Sequence, residues 1–193
     1  MKKFGVLLIA VLLAAASVQA SYTVATFANP SSGSSDPLFW VDWTGGTIHG
    51  GWDTGGLVLD FKYVGASFDA RFEMDSVDIV EQDVFFGNTI GLTGEGVINF
   101  YNEATDELLL SIAFSRAIVD AGGFWSHNAV FSSPLISDLL SDEQFSFGFA
   151  NNVSFGGGFS ATAAFDSSAI PEPATLAIFG IGAAMMFRLR KRA

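Results

Sequence analysis

The chain of 193 residues contains no cysteine, and outside its two ends it contains very few cations. Without cysteine it forms no disulfide bonds, so the burial of apolar side chains must stabilise its folded state. Only Lys62, Arg71 and Arg116 lie in the central part, against nineteen Asp and Glu residues. This imbalance argues against nucleic acid as a partner, because binding to nucleic acid requires cationic side chains that neutralise its phosphates.

The first twenty residues have the three parts of a secretory signal peptide. Lys2 and Lys3 form a short basic region, and residues 4–16 form an apolar core. A small-x-small cleavage site ends at Ala20, just before Ser21. We therefore expect residues 1–20 to direct the chain to the Sec translocon and to be removed by signal peptidase.

The last residues combine a proline motif, an apolar run and a basic end. Pro171, Glu172 and Pro173 are expected to hold the chain extended, because proline fixes φ and restricts the residue before it. The run 174–187 is predicted to form a transmembrane helix, although it is shorter than the roughly 20 residues that usually span a bilayer. A basic cluster follows, which predicts a cytoplasmic C-terminus. The cluster consists of Arg188, Arg190, Lys191 and Arg192.

This order of features resembles the PEP-CTERM sorting signal of exported bacterial proteins, and the resemblance is confined to residues 170–193. It implies that exosortase, a membrane protease, removes the tail. It also implies export across the inner membrane, transient anchoring in that membrane, and delivery to the cell surface or extracellular matrix. Proteins with this signal occur in bacteria that make exopolysaccharide, so a role in the biofilm matrix is implied as well.

Between the targeting segments, residues 21–166 are predicted to form one all-β domain, and a short Ser/Ala linker from residue 167 is expected to lead into the tail. Apolar residues alternate with other residues in many short segments, a pattern typical of half-buried strands. Such strands, separated by turns, predict an antiparallel β-sandwich or jelly roll in which each sheet has one solvent-exposed face. Asp69 and Thr162 are predicted to lie on these solvent-exposed faces.

The alternation places several strands along the chain. A first strand is predicted at residues 22–27, a hairpin at 57–74 that turns at Val64-Gly65, and a second hairpin at 97–115. The last two strands fall within 145–165. The side chains expected to face inward include Phe61, Phe72, Phe114 and Phe147. One soluble helix is predicted at 133–140, because Ser133 is a suitable cap and Pro134 fits the first helical position.

Three acidic residues, Glu73, Asp75 and Asp78, resemble the E-x-D-x-x-E strand motif of laminarinase-like glycoside hydrolases. A retaining hydrolase needs two carboxylates about 5 Å apart. The family has Glu at the last position, where this chain has the shorter Asp78, and the domain is small for that fold. An acidic strand end that runs into a loop explains the same residues more simply, and no catalytic residue is predicted.

The two histidines suggest a second hypothesis. Asp53 follows His49 by four residues, and Ser126 precedes His127. A Ser-His-Asp set is defined by geometry rather than by neighbouring positions, and no G-x-S-x-G turn is present. Two histidines without cysteine also make a zinc site improbable, since zinc takes at least three good protein ligands.

Two further segments contain residue types that occur in ligand sites. Calcium prefers oxygen ligands, so a site built from Asp75, Asp78, Glu81 and Asp83 is a minor hypothesis. The glycines 156–158 are predicted to form a turn, because no Lys-Ser/Thr and no helix follow them as in a phosphate-binding loop. No metal or other cofactor is predicted.

The four tryptophans offer a different kind of surface. Trp40, Trp43, Trp52 and Trp125 have Gly and Asp neighbours, and aromatic faces with polar surroundings can bind carbohydrate. The sequence therefore favours a non-enzymatic protein with a structural or polysaccharide-associated role. A small enzyme similar to glycoside hydrolases and a calcium-dependent adhesion module are the alternatives.

Overall fold

The computed structural model of the chain describes residues 21–30, 36–137 and 140–171. The expected signal peptide up to Ala20 lies outside these residues. So do Glu172, Pro173, the apolar run 174–187 and the basic cluster. Within the described ranges every regular element is a strand, and the fold is all-β and antiparallel. No helix in this part of the chain is long and apolar enough to cross a membrane.

Twelve strands follow one another in the described ranges. They are β1 (Tyr22–Phe27), β2 (Phe39–Asp42), β3 (Thr47–Phe61), β4 (Ala66–Phe85), β5 (Asn88–Thr93), β6 (Gly96–Asn102), β7 (Leu108–Phe114), β8 (Ile118–Asp120), β9 (Gly123–Ser126), β10 (Ala129–Ser132), β11 (Leu140–Phe155) and β12 (Gly158–Pro171).

All strands belong to one hydrogen-bonded network. Its order is β1-β3-β2-β12-β11-β9-β8-β5-β4-β6-β7-β10, with additional pairings between β1 and β12 and between β3 and β4. The pairing of β3 with β4 closes a circuit that returns through β5, β8, β9, β11, β12 and β2. β3, β4, β11 and β12 pass through register shifts, which bend a strand and let its two halves meet different neighbours.

The inward faces of the strands meet in a core rich in phenylalanine. Phe27, Phe72, Phe147 and Phe165 come from four different strands, and the ring centroids in contact lie 4.8 to 6.1 Å apart. Aromatic pairs at this separation attract one another in addition to removing apolar area from water. The four side chains predicted to face inward are all buried, as expected: Phe61, Phe72, Phe114 and Phe147.

The strands predicted from alternation are confirmed. β1 has the predicted bounds, and β3 and β4 form the first hairpin, with Gly65 at a φ of 68° in its turn. β6 pairs with β7, and β11 pairs with β12 over most of their length. The glycines 156–158 lie where β11 turns into β12, as predicted.

The helix predicted at 133–140 is wrong in its described part. Residues 134 and 135 form a turn, and Leu140 begins β11; residues 138–139 lie outside the described ranges. The Ser133 hydroxyl accepts a hydrogen bond from the Leu135 amide at 3.0 Å and donates one to the Leu109 carbonyl of β7. A Ser side chain can close such a turn as well as cap a helix, so the same sequence signal led to the wrong element.

The linker expected after residue 166 is also wrong, because β12 continues to Pro171. Ala169 pairs with Tyr22 of β1, and Ile170 and Pro171 still pair with β11. Ser167 and Ala169 are buried. The Ser167 hydroxyl donates to the Ala25 carbonyl at 2.9 Å and accepts from the Ala25 amide at 3.1 Å. Small residues that resemble a linker thus occupy inward positions of a paired strand.

The acidic segment around residue 80 does not run into a loop but continues as strand. β4 extends to Phe85 and pairs with β5 through a turn at Phe86 and Gly87, where φ is 51° and 83°. Near this hairpin tip the Phe85 and Phe86 side chains are 61% and 90% exposed. Two bulky aromatic side chains therefore stand in solvent on this hairpin.

Candidate functional site

The outer surface of β2, β3 and β4 contains a cleft of about 390 Å³. We call it the first cleft. Its lining combines aromatic rings, a histidine, glycines and carboxylates. The residues are Trp40, His49, Gly50, Gly51, Trp52, Asp53, Phe72, Glu73, Met74 and Asp75.

One wall of the first cleft is a stacked pair of rings. Trp40 on β2 is directly opposite His49 on β3, so both side chains leave the same face of the sheet. Their ring centroids are 5.1 Å apart, and the planes differ by 7°. Phe39 and Val41, the neighbours of Trp40, point the other way and are fully buried. The alternation of β2 therefore fixes the indole in its outward position.

Trp52 is held by the bulge that follows it in β3. The register against β4 shifts between Trp52 and Leu57. The indole Nε1 donates a 2.8 Å hydrogen bond to the Gly55 carbonyl. Gly55 and Gly56 have φ values of 79° and 82°, which glycine adopts at little cost. These two glycines let the chain fold back to accept the indole hydrogen bond, which orients the ring.

Carboxylates border the same cleft. Glu73 and Asp75 are exposed and alternate with buried residues on β4. Arg71 forms ion pairs with Glu73 and with Asp106, and its guanidinium lies 4.3 Å from the centroid of the Tyr101 ring. The hydrogen bond to Asp106 contributes most to raising the pKa of Arg71, so this cation stays charged. One rim of the cleft thus carries a fixed ion-pair network.

The hydrolase-like residues share one strand but not one environment. Glu73, Asp75 and Asp78 are all exposed on β4, and Asp78 pairs with Thr47 beyond a register shift. Only Glu73 and Asp75 line the first cleft. Glu73 is occupied by its ion pair with Arg71.

The two histidines lie at different sites. His49 and Asp53 line the first cleft, whereas His127 lies within 2.6 Å of Gln144 Oε1 in another depression. The Ser126 hydroxyl donates to the Arg116 carbonyl at 2.6 Å. The structure therefore does not join Ser126, a histidine and Asp53 into a catalytic set.

The acidic residues proposed for calcium do not converge in the described part of the chain. There, no three His, Asp or Glu side chains lie where they could hold one metal ion. Asp75, Asp78, Glu81 and Asp83 are distributed along the outer surface of β4, and each is exposed.

The four tryptophans separate into three environments. Trp40 and Trp52 both line the first cleft, and Trp52 also packs against the hydrophobic core. Trp43 packs against Phe159, with ring centroids 6.2 Å apart, and its carbonyl accepts a hydrogen bond from Gln82. Trp125 lies in a second cleft. The sequence identified the aromatic residues, but only strand pairing shows which of them act together.

The second cleft has a volume of about 280 Å³ and lies across β9, β11 and β12. Its lining residues are Trp125, His127, Gln144, Phe145, Ser146, Asp166 and Ser168. Partial desolvation raises the pKa of the Asp166 carboxyl, and a hydrogen bond from the Ser167 amide opposes that shift. Like the first cleft, it combines an indole, an imidazole and a carboxylate. The sequence alone does not indicate Asp166 or Gln144 as site residues, because only the folded sheet brings them beside Trp125.

Both clefts offer an aromatic ring next to hydrogen-bonding groups. A flat ring binds the apolar face of a ring-shaped ligand, and carboxylates, amides and imidazoles bind its polar groups. The expected sorting residues are only partly described: Pro171 is the last residue of β12, while Glu172 and Pro173 lie outside the described ranges.

Comparison with known proteins identifies the tail. Residues 169–192 match the family model of the PEP-CTERM protein-sorting motif. The match confirms the resemblance read from the motif and its apolar and basic continuation, and it indicates an exported protein that exosortase processes. No curated protein and no solved structure matches the chain.

Proposed function

We propose that this chain is an exported β-sandwich protein that exosortase releases from the membrane and that binds extracellular polysaccharide without cleaving it. The matched tail supports export and processing. The observation that carries the binding proposal is the outward-facing stacked pair Trp40–His49 in the first cleft.

Packing between strands supports the two-layered arrangement. Phe39 of β2 and Phe165 of β12 both contact Phe147 of β11, and Phe72 of β4 contacts Phe27, Phe39, Phe100 and Phe147. Rings from many strands thus interdigitate in one core. Two sheets that pack face to face bury their inner side chains in this way and leave their outer faces free for ligands.

Charge narrows the class of polysaccharide. Central residues supply only three cations, and Arg71, which borders the first cleft, is already paired with two carboxylates. An acidic polymer would be repelled by Asp53, Glu73 and Asp75 around that cleft. The same carboxylates accept hydrogen bonds from hydroxyl groups. A neutral, hydroxyl-rich polysaccharide is therefore the ligand class that the cleft fits.

Affinity electrophoresis tests this function. The exported protein should migrate more slowly in native gels that contain a neutral β-glucan, and it should migrate normally in gels that contain alginate, an anionic polymer. Trp40→Ala should strongly reduce the retardation. Phe85→Ala is the matched control, since it removes an exposed aromatic ring far from the lining of the first cleft.

The outcomes separate the alternatives. Equal retardation of Trp40→Ala and the parent protein, or no retardation by any neutral polysaccharide, would overturn the binding proposal. Release of reducing sugar that Glu73→Gln eliminates would instead establish the hydrolase, because Glu73 and Asp75 line the same cleft. Loss of binding on addition of a calcium chelator would favour the adhesion module.

A further inference from the structure

The two aromatic clefts lie on one outer face of the sheet. Strand register establishes this, because residues directly opposite in an antiparallel pair project to the same side. Trp40 is opposite Ser160 of β12. Trp125 is opposite Ser146 of β11, and Ser146 is opposite Asp166 of β12. Since Ser160 and Asp166 are six residues apart on one strand, they also share a face.

The register also gives the distance between the clefts. Six residues of β12 correspond to about 20 Å along the strand. Trp40 lies one strand to one side of β12, and Trp125 lies two strands to the other side, so the lateral offset is about 14 Å. The diagonal between the two indoles is therefore about 25 Å before twist is considered. A single sugar ring cannot touch both, but a polymer can.

Small side chains form part of the surface between the two clefts. Three outward residues of β11 and β12 have small, exposed side chains: Gly148, Ala150 and Ala164. Thr162, which shares this face, is buried and accepts a hydrogen bond from the Asn151 side chain. Nothing lies within 4 Å of the position that a Cβ of Gly148 would occupy, so this part of the face is open. The exposed part of the path across the two central strands therefore runs over Gly148 and Ala164, beside the covered position of Thr162.

We infer that one polysaccharide chain crosses this face diagonally and occupies both clefts at once. The inference rests on the proposed binding function and specifies it: the ligand is an extended neutral polymer, bound along its length rather than at an end. Each cleft stacks on one part of the chain. Occupation of the first cleft raises the local concentration of the polymer at the second, so the two weak contacts combine.

A length series of neutral β-glucan oligosaccharides tests this inference by titration calorimetry on the exported protein. Short oligosaccharides should bind weakly to each cleft. Affinity should rise by about tenfold or more once the oligosaccharide is long enough to span both clefts. Trp125→Ala should remove this rise and leave the weak binding of short oligosaccharides at the first cleft unchanged.

A second variant tests the path itself. Gly148→Gln places a long neutral side chain on the open face, where the added Cβ meets no neighbour and the backbone has no positive φ. It should reduce affinity for long oligosaccharides and spare short ones. Val97→Gln is the matched control, because Val97 is also an exposed strand residue but lies on β6.

Each result has one meaning. If Trp125→Ala leaves the affinity for long oligosaccharides unchanged while Trp40→Ala strongly reduces it, the single-chain inference fails and the proposed function stands. If Trp125→Ala weakens binding but Gly148→Gln does not, the clefts hold separate chains, which also overturns the inference. If no oligosaccharide of any length binds, the proposed function itself fails.

Discussion

The indole of Trp40 and the imidazole of His49 lie nearly parallel, with 5.1 Å between their ring centroids. They belong to adjacent strands, and their positions follow from the pairing of β2 with β3. The imidazole therefore supports the indole from one side, and the proposed function places the ligand on the other side of the ring. In that proposal His49 is a positioning residue, which acts on the ligand through Trp40.

His49→Ala should weaken polysaccharide binding about two- to tenfold, because an aromatic pair contributes roughly 0.5–1.5 kcal/mol. His49→Phe should restore most of the affinity, since it returns a flat ring to the stack. Retardation in glucan gels measures both variants. Equal affinity of the Ala variant and the parent protein would show that the stack does not position the indole.

Phe147→Ala should lower the free energy of unfolding by about 3–5 kcal/mol, because it leaves a cavity where several rings meet. Phe147 is fully buried and contacts rings from β1, β2, β4, β9, β11 and β12. Urea denaturation measures the loss. Asp69→Asn, at an exposed position of β4, should change stability by less than about 0.5 kcal/mol, and similar losses for both variants would contradict the assigned core.

Glu143→Gln should stabilise the protein at neutral pH and have little effect in acid. Burial raises the pKa of the Glu143 carboxyl above its ordinary value, although a hydrogen bond from the Phe131 amide opposes the shift. The folded state therefore holds this proton more tightly than the unfolded chain does. Stability is retained below the ordinary carboxyl pKa of about 4.3 and falls as the pH rises from there through the raised pKa.

Thermal melting between acid and neutral pH measures this effect. The difference in melting temperature between Glu143→Gln and the parent protein should grow as the pH rises. Glu95→Gln, which removes a carboxyl at an exposed position, is the control. A difference that stays constant across the pH range would show that the carboxyl does not titrate abnormally.

Replacing Pro171, Glu172 and Pro173 with alanines should leave an uncleaved, membrane-bound precursor in the native host. The replacement removes the fixed φ angles and the charge that the sorting motif supplies. Neutralising the basic cluster 188–192 should impair retention and orientation instead. The measurement is the C-terminal mass of the protein. A mature wild-type form that still carries residues 176–187 would show that the tail is a permanent anchor.

Ala104→Cys should react with a membrane-impermeant maleimide in spheroplasts. Residue 104 is exposed in the turn between β6 and β7, and the chain has no other cysteine, so the label reports one position. The two basic ends predict that the domain lies outside the cytoplasm. Ala193→Cys in the uncleaved precursor is the control and should stay unlabelled. Protection of Ala104→Cys in intact spheroplasts would contradict the predicted topology.

Sequence patterns predicted the strands best where apolar residues alternate with polar or small residues along the chain, which places the apolar side chains on one face. The hairpin of β3 and β4 and the strands β6, β7, β11 and β12 follow directly from that alternation. The prediction from alternation is wrong at Thr162, which is expected on a solvent-exposed face but is buried. Its hydroxyl donates to the Ala150 carbonyl at 3.0 Å and accepts from the Asn151 side chain at 3.2 Å. Alternation predicts the side of the sheet to which a residue projects, but it does not show whether other residues cover that side.

The site was less predictable because its residues are distant in sequence. The sequence indicates all four tryptophans as binding candidates. Only the position of Trp40 on β2 and the bulge after Trp52 show that these two line one cleft, whereas Trp43 packs against Phe159. Asp166 and Trp125 lie in one cleft through two strand pairings. The error at residues 167–171 has a similar cause, since small residues describe a linker and a tightly packed strand equally well.

The pairing of β1 with β12 has a consequence for the order of events during export. Ala25 and Ser167, which exchange two hydrogen bonds, are 142 positions apart in the chain. A chain that is threaded through the membrane from its N-terminus exposes β1 first and β12 last. The edge of β1 that pairs with β12 therefore stays unpaired until β12, which adjoins the sorting motif, has crossed the membrane. The pairing of β1 with β12 can therefore form only after the tail has reached the membrane. A chain truncated before β12 leaves this edge of β1 unpaired and accessible to proteases.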